Sequence, residues 1–139
     1  MRRIVHAFLA GAIAVLAVHQ PMLAALHALG ILSWPAYSLA PTRPFGVPAV
    51  LSQAFFAGLW ATVLLPLAEH SPTARGYYAR ALVHGALVPT VVGIALTLLG
   101  HGYPPGRTSP LVAVTAGAAI NAAWMAATAW IATKLAGRA

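Results

Sequence analysis

Four polar side chains lie deep within long apolar stretches of this 139-residue chain: His19, Gln20, Thr90 and Asn121. Amide, hydroxyl and imidazole groups can bind a small ligand through hydrogen bonds, and the imidazole of His19 can also carry a proton. At about 1.5 Å of rise per helical residue, the four come out roughly 15–18 Å in from one end of their stretches. That is near the middle of a hydrocarbon core about 30 Å thick. His27, Gln53 and Thr115 form a second layer nearer the same end. A polar group at such depth is costly unless it has a partner or a task. Two readings follow. One is a polar midplane site for a ligand or a proton. The other is hydrogen bonding between helices, at about 0.6–2 kcal/mol per tie. Pro21 removes a backbone N–H beside His19 and bends the first stretch there, which exposes a carbonyl to the interior.

The rest of the inventory excludes most catalysis. Glu69 is the sole acidic residue and there is no cysteine. Structural disulfides, thiolate metal sites and cysteine nucleophiles are ruled out. No Ser-His-Asp set can be completed, no carboxylate pair exists, and no Gly-rich phosphate loop is present, so the chain is read as a non-enzyme. Glu69 falls at the end of its apolar stretch, which leaves a proton-coupled carrier without a buried carboxylate. Six histidines raise the question of metal or haem. Zinc needs three or four converging ligands, and no short-spaced motif supplies them. Haem would need an axial pair from two helices. His19 with His84 is the nearest such pair, and their depths differ by several residues. No metal site and no cofactor is expected, with a haem-binding subunit kept as an alternative.

These residues must be held by elements that suit the composition. Hydrophobic residues make up 60% of the chain and charged ones 6%, against roughly 25% charged in an ordinary soluble domain. Such a chain cannot cover itself with a polar surface. A helix that crosses a bilayer needs about 20 mostly apolar residues. Candidate spans run over about 4–32 (interrupted at His19-Gln20-Pro21), 47–67, 81–99 and 111–135. Pro41, Pro44 and Pro48 precede the second span, Ser71-Pro72 follows it, and residues 102–110 precede the fourth. The runs do not alternate apolar with polar, so barrel strands are not indicated. Met-Arg-Arg followed by an apolar run also has the form of a signal peptide, with Ala12 and Ala14 at a small-residue cleavage site. The run continues well past a usual h-region, which favours an uncleaved span.

Charge sets the orientation. Arg2, Arg3, Arg75, Arg80, Lys134 and Arg138 fall on one side and Arg43 and Arg107 on the other. Both termini are expected in the cytoplasm, with the two longer loops outside. The net charge of +7 would suggest nucleic acid in a soluble protein. Here the basic residues flank apolar spans, and the partner is the bilayer. Arg43 and Arg107 could form an outer-face anion clamp, or they snorkel to lipid headgroups. Tyr37, Tyr103 and Trp34 fit an aromatic belt on the outside, and Tyr77 and Tyr78 one on the inside. Trp60 and Trp124 lie deeper, where they would pack in the bundle or against a partner.

The chain also reads as two related hairpins. The first and third spans carry Pro21 and Pro89 and end at Leu29-Gly30 and Leu99-Gly100. Each outer loop then holds Tyr, Pro and Arg. The second and fourth spans carry an amide and then a tryptophan: Gln53 and Trp60, Asn121 and Trp124. Two-span units keep their orientation, so a pseudo-two-fold axis would run along the membrane normal. From Ala113 to Ala132 the fourth span is largely alanine, with Gly117 four residues before Asn121. Small residues allow close helix approach. That span is therefore placed centrally, or at an interface with another chain.

The stretch His19-Gln20, Leu26-His27, Leu29-Gly30, Pro35, Tyr37, Pro41, Pro44-Phe45-Gly46-Val47-Pro48, Ser52, Ala54-Phe55 and Gly58-Leu59-Trp60 resembles a family of small bacterial integral membrane proteins. The resemblance implies a four-span protein of unknown function and brings no activity or catalytic residues; the expected location is a bacterial inner membrane. The expected fold is thus all-α, a polytopic bundle of four transmembrane helices forming one domain over 1–139. The expected role is a non-catalytic accessory or structural subunit that packs with other membrane subunits or with itself. The alternative is a small oligomeric transporter or channel that uses the midplane layer.

Overall fold

Long apolar stretches with few breakers favour helices, because a helix satisfies every backbone group internally where no water can. The computed structural model describes residues 1–99 and 108–137. Among these the chain is all-helical, with no strand and one isolated bridge between Pro41 and Pro48. α1 (Arg2–Ala14) passes through a π-helical turn at Val15–His19 into α2 (Gln20–Ala28). α3 spans Ala49–Ala68, α4 Ala74–Leu98 and α5 Pro110–Leu135. The α1–α2 unit and the three helices after it are four elements long and apolar enough to cross a membrane.

The interruption at His19-Gln20-Pro21 is a change of helical register and not a break. Pro21 has no N–H to donate. The turn before it widens, so that the Gln20 N–H bonds the Val15 carbonyl, five residues back. The first span ends earlier than residue 32. Gly30, at φ 70°, closes α2: its N–H bonds the His27 carbonyl and the Ile31 N–H bonds the Leu26 carbonyl. This left-handed cap is the glycine stop that the Leu-Gly pair signals. The third helix starts earlier than residue 81, because Thr73 accepts the Gly76 N–H at 3.1 Å and caps a further turn and more. Ser109 caps α5 in the same way, with Pro110 at its first position.

α1 packs on α3 and on α5. α4 packs closely on α5 and less closely on α3. Small residues set the close contacts. A Cβ added at Gly11 would lie 2.5 Å from the Ala57 carbonyl oxygen and 2.6 Å from the Ala61 Cβ. Gly85 holds the same place against Met125 and Asn121, and Gly58 accepts the ring of Phe8. Contacts rise along one helix as they fall along its neighbour: Gly11 meets Ala61 and Gln20 meets Gln53, while Tyr77 meets Ala129 and Thr90 meets Asn121. These neighbours are antiparallel. Arg3, Glu69, Ala74 and Ala136 border one cleft, so both ends of the chain lie at the same end of the helices.

The outer surface is apolar on every helix. Ile4, Leu51, Phe55, Val63, Leu87, Val91 and Trp130 are all exposed. A bilayer, and not water, suits that surface, and the chain is a multi-pass membrane protein on this ground. α5 buries one face, through Ile120, Trp124, Met125 and Ala129, and leaves Leu111 and Trp130 open. α5 touches each of the other three spans, most closely α4 and α1.

Candidate functional site

The register change at Pro21 creates the first polar requirement. Once Gln20 bonds Val15, the Leu16 carbonyl has lost its α-helical partner, and Pro21 cannot replace it. The Tyr37 hydroxyl does so, donating to the Leu16 carbonyl at 2.9 Å. To reach that point the outer loop folds back along the first span, with Tyr37 at φ 51°. In the same position the Tyr37 N–H donates to Oε1 of Gln20 at 2.6 Å. Gln20 is 1% exposed, and its Nε2 donates to Oε1 of Gln53 on α3. Gln20 therefore joins the first span, the outer loop and α3 in one network.

Two expectations change here. Gln53 is level with Gln20 and does not belong to a separate outer layer. α3 begins at Ala49, well below the end of α2, so depth counted along α3 alone misplaces it. Tyr37 is not a belt residue either: its hydroxyl is tied to the backbone of the first span. That role follows from the π-helical turn together with Pro21: the turn takes the Gln20 N–H away from the Leu16 carbonyl, and Pro21 has none to give.

The other deep pair is direct. Asn121 Nδ2 donates to Thr90 Oγ1 at 3.0 Å and ties α5 to α4. Trp124, one turn further along α5, donates its indole N–H to the Gly11 carbonyl at 3.0 Å, deep in the core. That carbonyl already accepts the Val15 N–H and has a second lone pair to offer. Further out, Ser33 joins Thr108 through its backbone N–H at 3.0 Å and through its hydroxyl at 3.1 Å.

His19 is the exception among the four midplane residues. Its Nδ1 is buried without a hydrogen-bond partner. It lines a crevice of about 150 Å³ with Gln53, Trp60, Pro89, Asn121 and Trp124, so that all four spans contribute a wall. The amide–tryptophan pairs explain part of this. Gln53 to Trp60 is seven residues and Asn121 to Trp124 is three, and both spacings return to the same helix face. Sequence alone brings His19, Gln20, Thr90 and Asn121 to one depth. The structure divides them into two bonded pairs, Gln20–Gln53 and Asn121–Thr90, with His19 beside them and bonded to neither.

Below the crevice, toward the end that holds the termini, the core is apolar: Ala14, Ala61, Leu64, Met125 and Ala129 are buried. Thr128, buried among them, bonds the Trp124 carbonyl of its own helix at 2.8 Å. This layer separates the crevice from a wider cleft of about 710 Å³ at the terminal end, bordered by Arg3, His6, Glu69 and Tyr77.

Arg43 is exposed in a tight turn closed by the Thr42 N–H and hydroxyl on the Val47 carbonyl, both at 2.8 Å, with Gly46 at φ 69°. Arg107, its expected partner in an anion clamp, lies outside the described residues, as do His101 and Tyr103. His19 lines the crevice together with Pro89 of α4, whereas His84, five residues earlier on that helix, does not line it. His84 has its own buried Nδ1 without a hydrogen-bond partner. Among the described residues no group of three or more His, Cys, Asp or Glu side chains is placed to hold a metal ion.

Comparison with models of protein families, with curated proteins and with solved structures gives no match to this chain.

Proposed function

We propose that the chain is a non-catalytic membrane subunit, a four-helix bundle that packs into a larger or homo-oligomeric assembly of a bacterial inner membrane. In this reading both termini are cytoplasmic. Arg2, Arg3, Arg75, Arg80 and Lys134 mark that face, and Arg43 and the highly exposed Phe45 anchor the outer turn at the headgroups.

The observation that carries the reading is that the deep polar residues other than His19 are tied to one another across helices. Gln20 serves Gln53 and the Tyr37 backbone, Asn121 serves Thr90, and Trp124 serves the Gly11 carbonyl. Groups bound in this way hold helices in register and are not free to pass a solute. A carrier or channel needs a polar path from face to face, and the apolar layer at Ala61, Leu64 and Met125 interrupts one. The open face of α5, where Ala119 and Trp130 are exposed, is suited to a neighbouring helix.

The test is to replace His19 and Asn121 together, with His19→Leu and Asn121→Val, and to follow assembly and flux in sealed vesicles. The reading expects weakened assembly through the lost Thr90 tie, and no solute flux in either form. A measurable flux that disappears in the double variant while assembly is unchanged would overturn it in favour of a carrier.

A further inference from the structure

The crevice at the middle of the four spans combines a size, a wall chemistry and an entrance that together describe a ligand. Its volume is about 150 Å³. A cavity of roughly that size admits a single six-membered ring, whereas pockets that enclose a whole drug-sized molecule begin at about 300 Å³. The space therefore fits a ring with the remainder of the molecule outside. Its walls include Trp60 and Trp124, and no acid, lysine or arginine lines it.

Its polar groups are rich in donors. Gln53 uses its Oε1 to accept from Gln20, and its Nε2 is left to donate. Asn121 gives one N–H to Thr90 and retains the other. Neutral His19 has one N–H to give, and its Nδ1 has no protein partner. Donors with no neighbouring charge select a neutral acceptor, and a ring carbonyl, which accepts and has no proton of its own to place, is the neutral lipophilic group that matches them. The entrance faces lipid. Phe56, on the rim, is 55% exposed, and α3 packs less closely on α4 than on α1.

We propose that this crevice binds the carbonyl-bearing ring of a neutral lipophile, the chemistry of a quinone head group. The ring enters from the bilayer between α3 and α4, lies against Trp60 and Trp124, and accepts a hydrogen bond from His19. The site does not depend on the assembly role proposed above. An ester carbonyl of a bilayer lipid offers the same acceptor without the ring, so the test must separate the two.

The full chain is placed in nanodiscs, in one series of ester phospholipid and in another of ether phospholipid, which has no ester carbonyl. A short-chain benzoquinone is titrated while tryptophan fluorescence is read. Binding predicts saturable quenching of similar affinity in both lipids. His19→Leu weakens it at least about tenfold, the worth of one hydrogen bond, and His19→Gln, which keeps a donor, retains most of it. Trp60→Phe lowers the saturable amplitude, a readout that does not rely on the His19 variants folding. Quenching that rises linearly and equally in all variants would overturn the proposal. So would saturable quenching confined to ether lipid, which would assign the crevice to a lipid ester, or an amplitude unchanged by Trp60→Phe.

Discussion

Replacing Gln20 with leucine isolates the network that holds the first span, the outer loop and α3 together. The substitution keeps a side chain of similar size and deletes two hydrogen bonds, one to Gln53 and one from the Tyr37 N–H at 2.6 Å. Ties of this kind between membrane helices are worth about 0.6 kcal/mol on average and up to about 1.7. Two of them place the cost of Gln20→Leu at about 1–3 kcal/mol. Gln53→Leu removes one bond and costs about 0.6–1.7 kcal/mol. The double variant has already lost the shared bond, so it costs less than the sum of the two, by about the same 0.6–1.7 kcal/mol. Reversible unfolding of the purified chain in mixed micelles of increasing SDS, followed by circular dichroism, measures all three. Costs that add to within about 0.3–0.5 kcal/mol would mean the two glutamines do not interact, and the reasoning that builds the site on Gln20 would fail.

Other perturbations follow from the same contacts. Gly11→Ala drives a methyl group into the Ala57 carbonyl and Ala61 and should cost about 1–3 kcal/mol in the same unfolding assay. Gly117→Ala meets nothing within 4 Å and should be neutral or stabilising by up to about 1 kcal/mol through helix propensity. Tyr37→Phe removes the donor to the Leu16 carbonyl and should cost about 1 kcal/mol. Pro21→Ala restores a backbone N–H next to that carbonyl and should reduce the Tyr37→Phe cost; an equal cost in both backgrounds would sever the link between them. The chain has no cysteine, so single cysteines report topology cleanly. Ser71→Cys should react with an impermeant maleimide only after the membrane is opened, and Phe45→Cys should react in intact cells.

The spans were legible because their signal is composition. Sixty per cent hydrophobic residues and a single acid leave no soluble alternative, and Gly30, Thr73 and Ser109 are stops and caps whose chemistry is local. The largest shifts in the helix limits are those where local capping shortened or extended a helix, at Gly30 and Thr73. The pairing of the polar residues was not legible. Depth along a helix places His19, Gln20, Thr90 and Asn121 at one level, but which amide meets which depends on the rotation and offset of each helix, and those are set by close approach at Gly11, Gly58 and Gly85. Gln53 was misplaced because α3 starts lower than α2 ends. Tyr37 was misplaced because its position is fixed by a register change in another helix. Pro21 alone does not reveal this, since in a regular α-helix it would free the Ala17 carbonyl, and only the π-helical turn moves the unpaired carbonyl to Leu16.

The most direct test of the central claim is the native mass of the tagged chain, extracted from its own membranes in mild detergent, with the co-extracted polypeptides identified. A subunit role predicts a stable species several times the 14.3 kDa of the chain, made of this chain with other membrane proteins or with further copies of itself. A single chain that remains monomeric across mild detergents and in native membrane patches would contradict that role.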